Sequence, residues 1–335
     1  MTERPLPPSR VRVDVLLDDA SRRAALYEAT LRSLTDTPKE ISPIWLYDER
    51  GSRLFDEITH LPEYYLTRAE RAILAERASE IASQTRAETL VELGSGTSEK
   101  TRLLLDALAA EGTLGRFVPL DVSEEVLVAS AQEIADEYPG LEVHAVVADF
   151  ERHLGMLPAG GRRLLAFLGS TIGGLEVDAR ERFLRTVASS LGSRDALLLG
   201  LDLVKDPARV EAAYSDGSGA SERFQRNALA HLDRELGSDF SGSRFDYRPS
   251  WDPEREWMDI GFRSLEAQVV HIPRLGIEVA FADGEHLRTS VSSKFRRERF
   301  EADLAAADLQ ITRWWTDASG DFAVCLAVPS GSVNR

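Results

Sequence analysis

The stretch from Thr89 to Val204 constrains this chain more than any other feature, because short apolar runs alternate there with helix-length amphipathic segments. Thr89-Leu90-Val91-Glu92-Leu93 is a β-rich run ending in a Gly-Ser-Gly turn. From Glu99 to Ala110, leucines at Leu103, Leu104, Leu105 and Leu108 are spaced for one helical face. Phe117-Val-Pro-Leu120 reads as a second strand, and Ser123 before Glu124 and Glu125 predicts an N-cap with an acidic first turn. Residues 141–147, 163–168 and 196–201 supply three more strands. Five strands separated by helices predict a parallel, doubly wound α/β sheet.

The C-terminal part sharpens this. Two β-rich runs, 309–316 and 322–328, flank Asp317-Ala-Ser-Gly-Asp321, a hairpin signal. A hairpin closing a mostly parallel, seven-stranded Rossmann-like sheet is the ending of class I S-adenosylmethionine (SAM)-dependent methyltransferases and not the usual ending of NAD-binding domains. Two stretches fall outside the sheet: about 15–68 is helical in pattern, and about 205–290 mixes helix with strand. In the latter, 244–257 reads as irregular, while 267–272 and 277–281 read as hairpin strands. The expected organisation is a SAM-binding domain of 69–204 with 295–330, and a smaller α+β substrate domain of 15–68 with 205–294.

Composition narrows the partners. The formal net charge of −16 repels phosphate backbones, so nucleic acid is not expected as a partner. No stretch has the apolar length of a membrane helix, and Met1 to Arg10 lacks the apolar segment of an export signal. The single cysteine, Cys325, sits between Val324 and Leu326 and is predicted to be a buried strand residue in a reducing cytoplasm. The six histidines are scattered without ligand spacing, so no metal is expected. A monomeric enzyme acting on a small molecule is the remaining expectation.

Gly94-Ser95-Gly96 ends the first strand, and glycines there let the backbone turn sharply and approach a ligand closely. A dinucleotide loop would continue to a third glycine, where this chain has Glu99. SAM has no pyrophosphate and needs only a loop edge. Asp121 closes the second strand, where an acid can accept ribose hydroxyls, although a turn aspartate is equally ordinary there. Asp149-Phe150 follows the third strand, where an acid can accept an adenine amino group and an aromatic can cover the ring. Three such features at three successive strand ends point to SAM, with S-adenosylhomocysteine as product.

Longer motifs add a family. Trp45-Leu-Tyr-Asp48, Gly51-Ser-Arg-Leu-Phe-Asp-Glu-Ile-Thr59, Leu61-Pro-Glu-Tyr-Tyr65 and Thr67-Arg68 resemble the histidine Nα-methyltransferases of ergothioneine biosynthesis. So do Val91-Glu-Leu-Gly-Ser-Gly-Thr-Ser-Glu-Lys-Thr101, Phe167-Leu-Gly-Ser-Thr-Ile-Gly173, Asp202-Leu-Val-Lys-Asp206 and Val291-Ser-Ser-Lys-Phe295. The resemblance runs from about residue 35 to the end. It implies that Gly94, Ser95, Gly96, Lys100, Asp121, Asp149 and Phe150 hold SAM. It places Tyr64, Gly169, Gly174, Tyr214, Ser290 and Ser292 around an amino acid, with Tyr47 beside the reacting amine. Phenols suit that site, since a hydroxyl donates or accepts while the ring walls the pocket. Without the resemblance, Tyr64 and Tyr65 read as a buried pair below a Pro-Glu turn.

Two positions depart from the family pattern. Gly174 stands where the family has asparagine, and Ser290 where it has glutamate, the anionic partner of the imidazole. A hydrogen bond to a charged group is worth about 1.5–3 kcal/mol net. The expected acceptor is therefore the amino group of an aromatic amino acid or derived amine, with an indole-like ring favoured over imidazole. Histidine itself, or an indole ring atom, is the alternative, and a non-catalytic SAM binder is a further one. An amine must lose its proton before attack, and Tyr47 is the candidate acceptor or orienter.

Overall fold

The computed structural model describes residues 11–16, 19–156 and 160–331. Met1–Arg10, on which the expectation about export rests, lie outside the described residues. Eight strands form the main sheet, in the order Val11–Val15, Glu142–Val147, Arg116–Asp121, Thr89–Leu93, Arg163–Phe167, Ala196–Asp202, Phe322–Pro329, Leu309–Thr316. The first six are parallel, and Phe322–Pro329 runs antiparallel to both of its neighbours. Thr89–Leu93 and Ala196–Asp202 are buried at every position, as befits parallel strands covered on both faces. Alternate residues feed two cores. Leu90, Phe117, Val143, Leu164 and Leu198 pack toward helices Tyr65–Thr85, Arg102–Glu111 and Glu124–Glu137. Val91, Val118, Leu165, Phe167 and Leu199 pack toward helices Val177–Ser190 and Arg297–Ala305.

The architecture is that of a class I SAM-dependent methyltransferase, with three differences from the sequence expectation. An eighth strand, Val11–Val15, adds to the edge in parallel with Glu142–Val147. Its Val-Arg-Val-Asp-Val run is largely exposed and carries edge charges, with Asp14 3.0 Å from Arg12 and 2.8 Å from His144. It therefore lacks the apolar signature of an inner strand. The stretch from 244 to 257, expected to be irregular, contains the strands Phe245–Tyr247 and Ser250–Asp252, both paired with Trp257–Ser264. Trp257–Ser264 pairs in turn with His286–Ser293, which pairs with Lys39–Glu40, making a second sheet. Finally, Ser123 makes no side-chain cap; its backbone N–H instead donates to Asp121 Oδ1 at 3.0 Å.

The helix Tyr65–Thr85 runs across the expected division at 68/69. It packs on helix Arg102–Glu111 and on strand Phe322–Pro329, and also touches helix Glu49–Thr59. Cys325 is fully buried in that strand, and burial pushes its thiol up to about 12. Among the described residues, no helix is long and apolar enough to cross a membrane.

Glu92, one residue before the end of strand Thr89–Leu93, is 4 % exposed and ties the following loop down from beneath. It accepts hydrogen bonds from Ser98 Oγ at 3.0 Å and from Thr101 Oγ1. Burial outweighs those bonds and pushes its carboxyl up to about 7. A raised carboxyl pKa makes the folded state bind the extra proton. The stability from this group is thus fully present below about pH 4.5 and declines as pH rises through about 7, by about 3 kcal/mol in all. Glu92→Gln keeps the shape without the titration. Melting temperatures across pH 4.5–8 should therefore fall less steeply in the variant than in the wild type, and parallel curves would remove Glu92 as the source.

Candidate active site

The loop after Thr89–Leu93 is held in place by the neighbouring strand. Gly94 and Ser95 donate their N–H groups to Leu120 O at 2.8 and 3.0 Å, and Gly96 donates to Asp121 Oδ2 at 2.9 Å. Gly94 and Gly96 adopt φ of +68° and +49°, where a side chain is strained. No atom lies within 4 Å of where either Cβ would sit, so the loop faces open space. Ser95 is buried, yet its hydroxyl has no partner among the described residues. Open space beside two glycines with an orphaned hydroxyl at a strand end is a fit for a polar ligand such as SAM. Asp121 spends one bond from each oxygen on backbone N–H groups, and burial still raises its pKa. Each oxygen keeps a second lone pair for a ligand.

Asp149 is largely buried, with Arg152 at 3.5 Å. The half-buried Phe150 ring meets Phe167 and Phe183 at 5.0 and 5.8 Å, which fixes its orientation at the strand end. Lys100 and Gly169 are brought together by a residue that the sequence reading missed. Glu70, fully buried on helix Tyr65–Thr85, pairs with the Lys100 ammonium and accepts the Gly169 N–H at 2.7 and 3.0 Å.

The expected acceptor residues gather beside this loop. Tyr47 ends the short 3-10 helix Pro43–Leu46 and packs edge-on against Phe55 and Phe224 at 5.9 and 5.5 Å. Its ring is 39 % exposed. Desolvation raises its pKa, and the nearby Asp121 and Tyr214 raise it further. Tyr64 is buried between Phe55 and Tyr214, with ring centroids at 6.2 and 6.5 Å, and its pKa too is raised well above the ordinary value, chiefly by burial. Tyr214 donates to Ser292 Oγ at 2.7 Å.

Ser290 and Ser292 share one face of strand His286–Ser293, opposite Ile260 and Met258 of the paired strand. Met258 and Ile260 pack with Val210, Tyr214, Tyr247 and Trp251, an apolar wall that the sequence reading also missed. Along His-Leu-Arg-Thr-Ser-Val-Ser-Ser burial alternates strictly, although the residue types do not. Ser290 is half-buried beside this wall. Gly174 ends the 3-10 turn Thr171–Gly174 and is exposed; a Cβ there would meet only Val291 O, at 3.9 Å. Among the described residues, no cluster of His, Cys, Asp and Glu could hold a metal ion.

Comparison with known proteins adds a family. Residues 26–329 match a family model described as histidine-specific methyltransferase, SAM-dependent. The chain is 50% identical over 318 residues to a histidine N-alpha-methyltransferase of Mycobacterium tuberculosis, covering 95% of this chain and 99% of that protein. It is also 50% identical over 308 residues to a histidine N-alpha-methyltransferase of Mycolicibacterium smegmatis, covering 92% and 96%. An N-methyltransferase of Aspergillus fumigatus, fsqC, is 26% identical over 309 residues, covering 89% and 82%.

The glycine pair in the 3-10 turn yields a prediction. A Cβ at Gly173 would lie 2.8 Å from Ser293 O, a backbone atom that cannot move cheaply. Gly173→Ala should cost about 1–3 kcal/mol by overpacking, whereas Gly174→Ala should stay within about 0.5 kcal/mol of the wild type. Denaturant midpoints decide this, and equal losses would mean that position 174 does not have the room described.

Proposed function

The chain belongs to the SAM-dependent, histidine-specific methyltransferase family, and from that premise we propose that it methylates the α-amine of an amino acid, with histidine as the leading acceptor. The observation that carries the reading is the chain of contacts that joins Tyr47 through Phe55 to Tyr64, Tyr64 to Tyr214, and Tyr214 to Ser292. Identity of 50% over nearly the full length with enzymes named for histidine favours that acceptor over the indole-like one expected from two positions alone. The sequence reading ranked them the other way.

In this reading the Gly94–Gly96 loop and Ser95 seat SAM, and Asp121 accepts its ribose hydroxyls. Lys100, held by Glu70, would meet its carboxylate, while Asp149 and Phe150 border its adenine. Bound there, SAM supplies an electrophilic methyl group, and the chain's own task is to orient the amine in line with it. Tyr47 is the orienter. Its raised pKa keeps the phenol neutral, so the hydroxyl oxygen accepts an N–H from the amine and does not serve as a phenolate base. Because Tyr47 is 39 % exposed, water reaches the amine's side of the cleft and takes the proton. With Cys325 buried and, apart from Val13 and Val15 on one edge strand, the large exposed apolar side chains of the described residues scattered, a cytoplasmic monomer is the setting we propose.

A second reading rests on a specific observation. Ser290 presents a small hydroxyl beside the apolar Met258–Ile260 wall, and Gly174 presents none, so a bulkier neutral ring such as an indole also fits the chemistry. Comparing kcat/KM for histidine and tryptophan separates the two. The leading reading expects histidine to win, and a tryptophan preference would replace it with the second. In either case Gly174→Asn with Ser290→Glu should raise kcat/KM for histidine about 10- to 150-fold, the worth of a hydrogen bond to a charged group. An unchanged value would show that these positions do not read the ring.

Tyr47→Phe should lower kcat about 2- to 10-fold, the worth of one neutral hydrogen bond, with a smaller change in KM. The rise of kcat/KM with pH, set by the amine's own deprotonation, should keep its midpoint in that variant. A midpoint that moves with the substitution would make Tyr47 the titrating base.

A further inference from the structure

Behind Tyr214 and Ser292 lies a buried polar cluster that no residue of the proposed mechanism uses. Lys294 follows strand His286–Ser293 and is fully buried, as is Asp202 at the end of strand Ala196–Asp202. The Lys294 ammonium donates to Asp202 Oδ2 at 2.8 Å, to Ser292 Oγ at 2.8 Å and to Tyr214 Oη at 2.9 Å. Asp202 also receives Lys205 and the Tyr65 hydroxyl, the latter at 2.8 and 2.9 Å. Nearby, Arg209 and Asp321 neutralise each other at 2.5 Å. Two ammonium groups thus share one carboxylate, which leaves the floor of the acceptor pocket with a net positive charge.

Counting hydrogens fixes the direction of donation. Lys294 has three and spends all of them, on a carboxylate and on the two hydroxyl oxygens. The Tyr214 hydroxyl gives its hydrogen to Ser292. With the lone pairs of both hydroxyls turned inward to the ammonium, one hydroxyl hydrogen remains without an acceptor in the cluster. In this arrangement it is that of Ser292, which is half-buried on the face shared with Ser290.

We propose that Lys294, locked by Asp202, is a positioning residue that turns the one spare hydroxyl hydrogen of the Tyr214–Ser292 pair into the acceptor pocket, so that the pocket selects substrates presenting an electron-rich hydrogen-bond acceptor. A carboxylate oxygen and an unprotonated ring nitrogen both have that chemistry. The inference rests on the amino-acid N-methyltransferase reading. Failure of the wild type to bind S-adenosylhomocysteine or to methylate any amino acid would sink that reading, whereas the outcomes below concern Lys294 alone.

The test uses the full chain, with kcat and KM for the methyl acceptor and calorimetric affinity for S-adenosylhomocysteine. Either hydroxyl can carry the spare hydrogen if the other is lost. Ser292→Ala and Tyr214→Phe singly should therefore raise the acceptor KM only a few-fold, while the double variant should raise it well beyond the product of the two, by about 10-fold or more. Lys294→Met frees the hydroxyls to donate inward to Asp202, and should raise acceptor KM about 10-fold or more while S-adenosylhomocysteine affinity stays within about twofold. Multiplicative single effects would overturn the proposal, as would cofactor and acceptor binding falling together in Lys294→Met. If Lys294→Met does not fold, the hydroxyl double variant alone decides. Repeating the double-variant comparison with histidine, histamine and phenylalanine separates the two acceptor groups. A penalty lost with histamine assigns the hydrogen to the carboxylate, and one lost with phenylalanine assigns it to the ring nitrogen. An equal penalty with all three substrates would overturn the proposal.

Discussion

The contact between Asp202 and Lys294 is the one on which the two halves of this molecule depend. Asp202 closes a strand of the main sheet, and Lys294 leaves the second sheet, so their 2.8 Å ion pair docks one on the other with no solvent between. Backbone bonds continue the seam, with Phe295 N donating to Asp202 O at 2.8 Å and Val204 N to Phe295 O at 3.1 Å. A buried pair contributes little net stability unless its remaining bonding capacity is filled. Here Tyr65, Lys205, Tyr214 and Ser292 fill it. The desolvation cost is therefore offset by a network that also fixes where the acceptor hydroxyls stand.

A second buried carboxylate organises the other side of the cleft. Glu70 holds the Lys100 ammonium and the Gly169 N–H together, although Gly169 lies 99 residues further along the chain. The two anchors, Glu70 and Asp202, both add to the raised pKa of Tyr64, which burial chiefly sets. Phenols in such surroundings stay protonated. On the proposed reading their part is to direct hydrogen bonds and wall the pocket, so that the site works by orientation rather than by a strong base.

The family assignment and the pocket chemistry speak to different levels of function. Identity of 50% across nearly the whole chain carries the reaction class. On the proposed reading Gly174 and Ser290 concern the walls around the acceptor ring, where one hydrogen bond to a charge alters preference without touching the methyl transfer. Position 174 has room for a side chain, since its Cβ would meet nothing closer than 3.9 Å. The glycine is thus not there because the backbone demands it.

Much of the fold was legible in the sequence because the parallel strands are buried on both faces and read as apolar runs. Thr89–Leu93, Ala196–Asp202 and the closing hairpin all stand where their composition put them. The Gly-Ser-Gly loop was legible too, since positive φ restricts the residue type locally. The exposed edge strand Val11–Val15 and the alternating polar strand His286–Ser293 were not, because half of each faces solvent or a pocket and mimics a loop. Least legible were Glu70, Asp202 and Lys294. By itself the sequence determined the inner parallel strands, the closing hairpin and the glycine loop, whose constraints are local in the chain. Only the tertiary structure decided which charges meet, because a buried ion's partner is chosen by proximity in space, and Asp202 and Lys294 are brought together by two sheets that never share a strand.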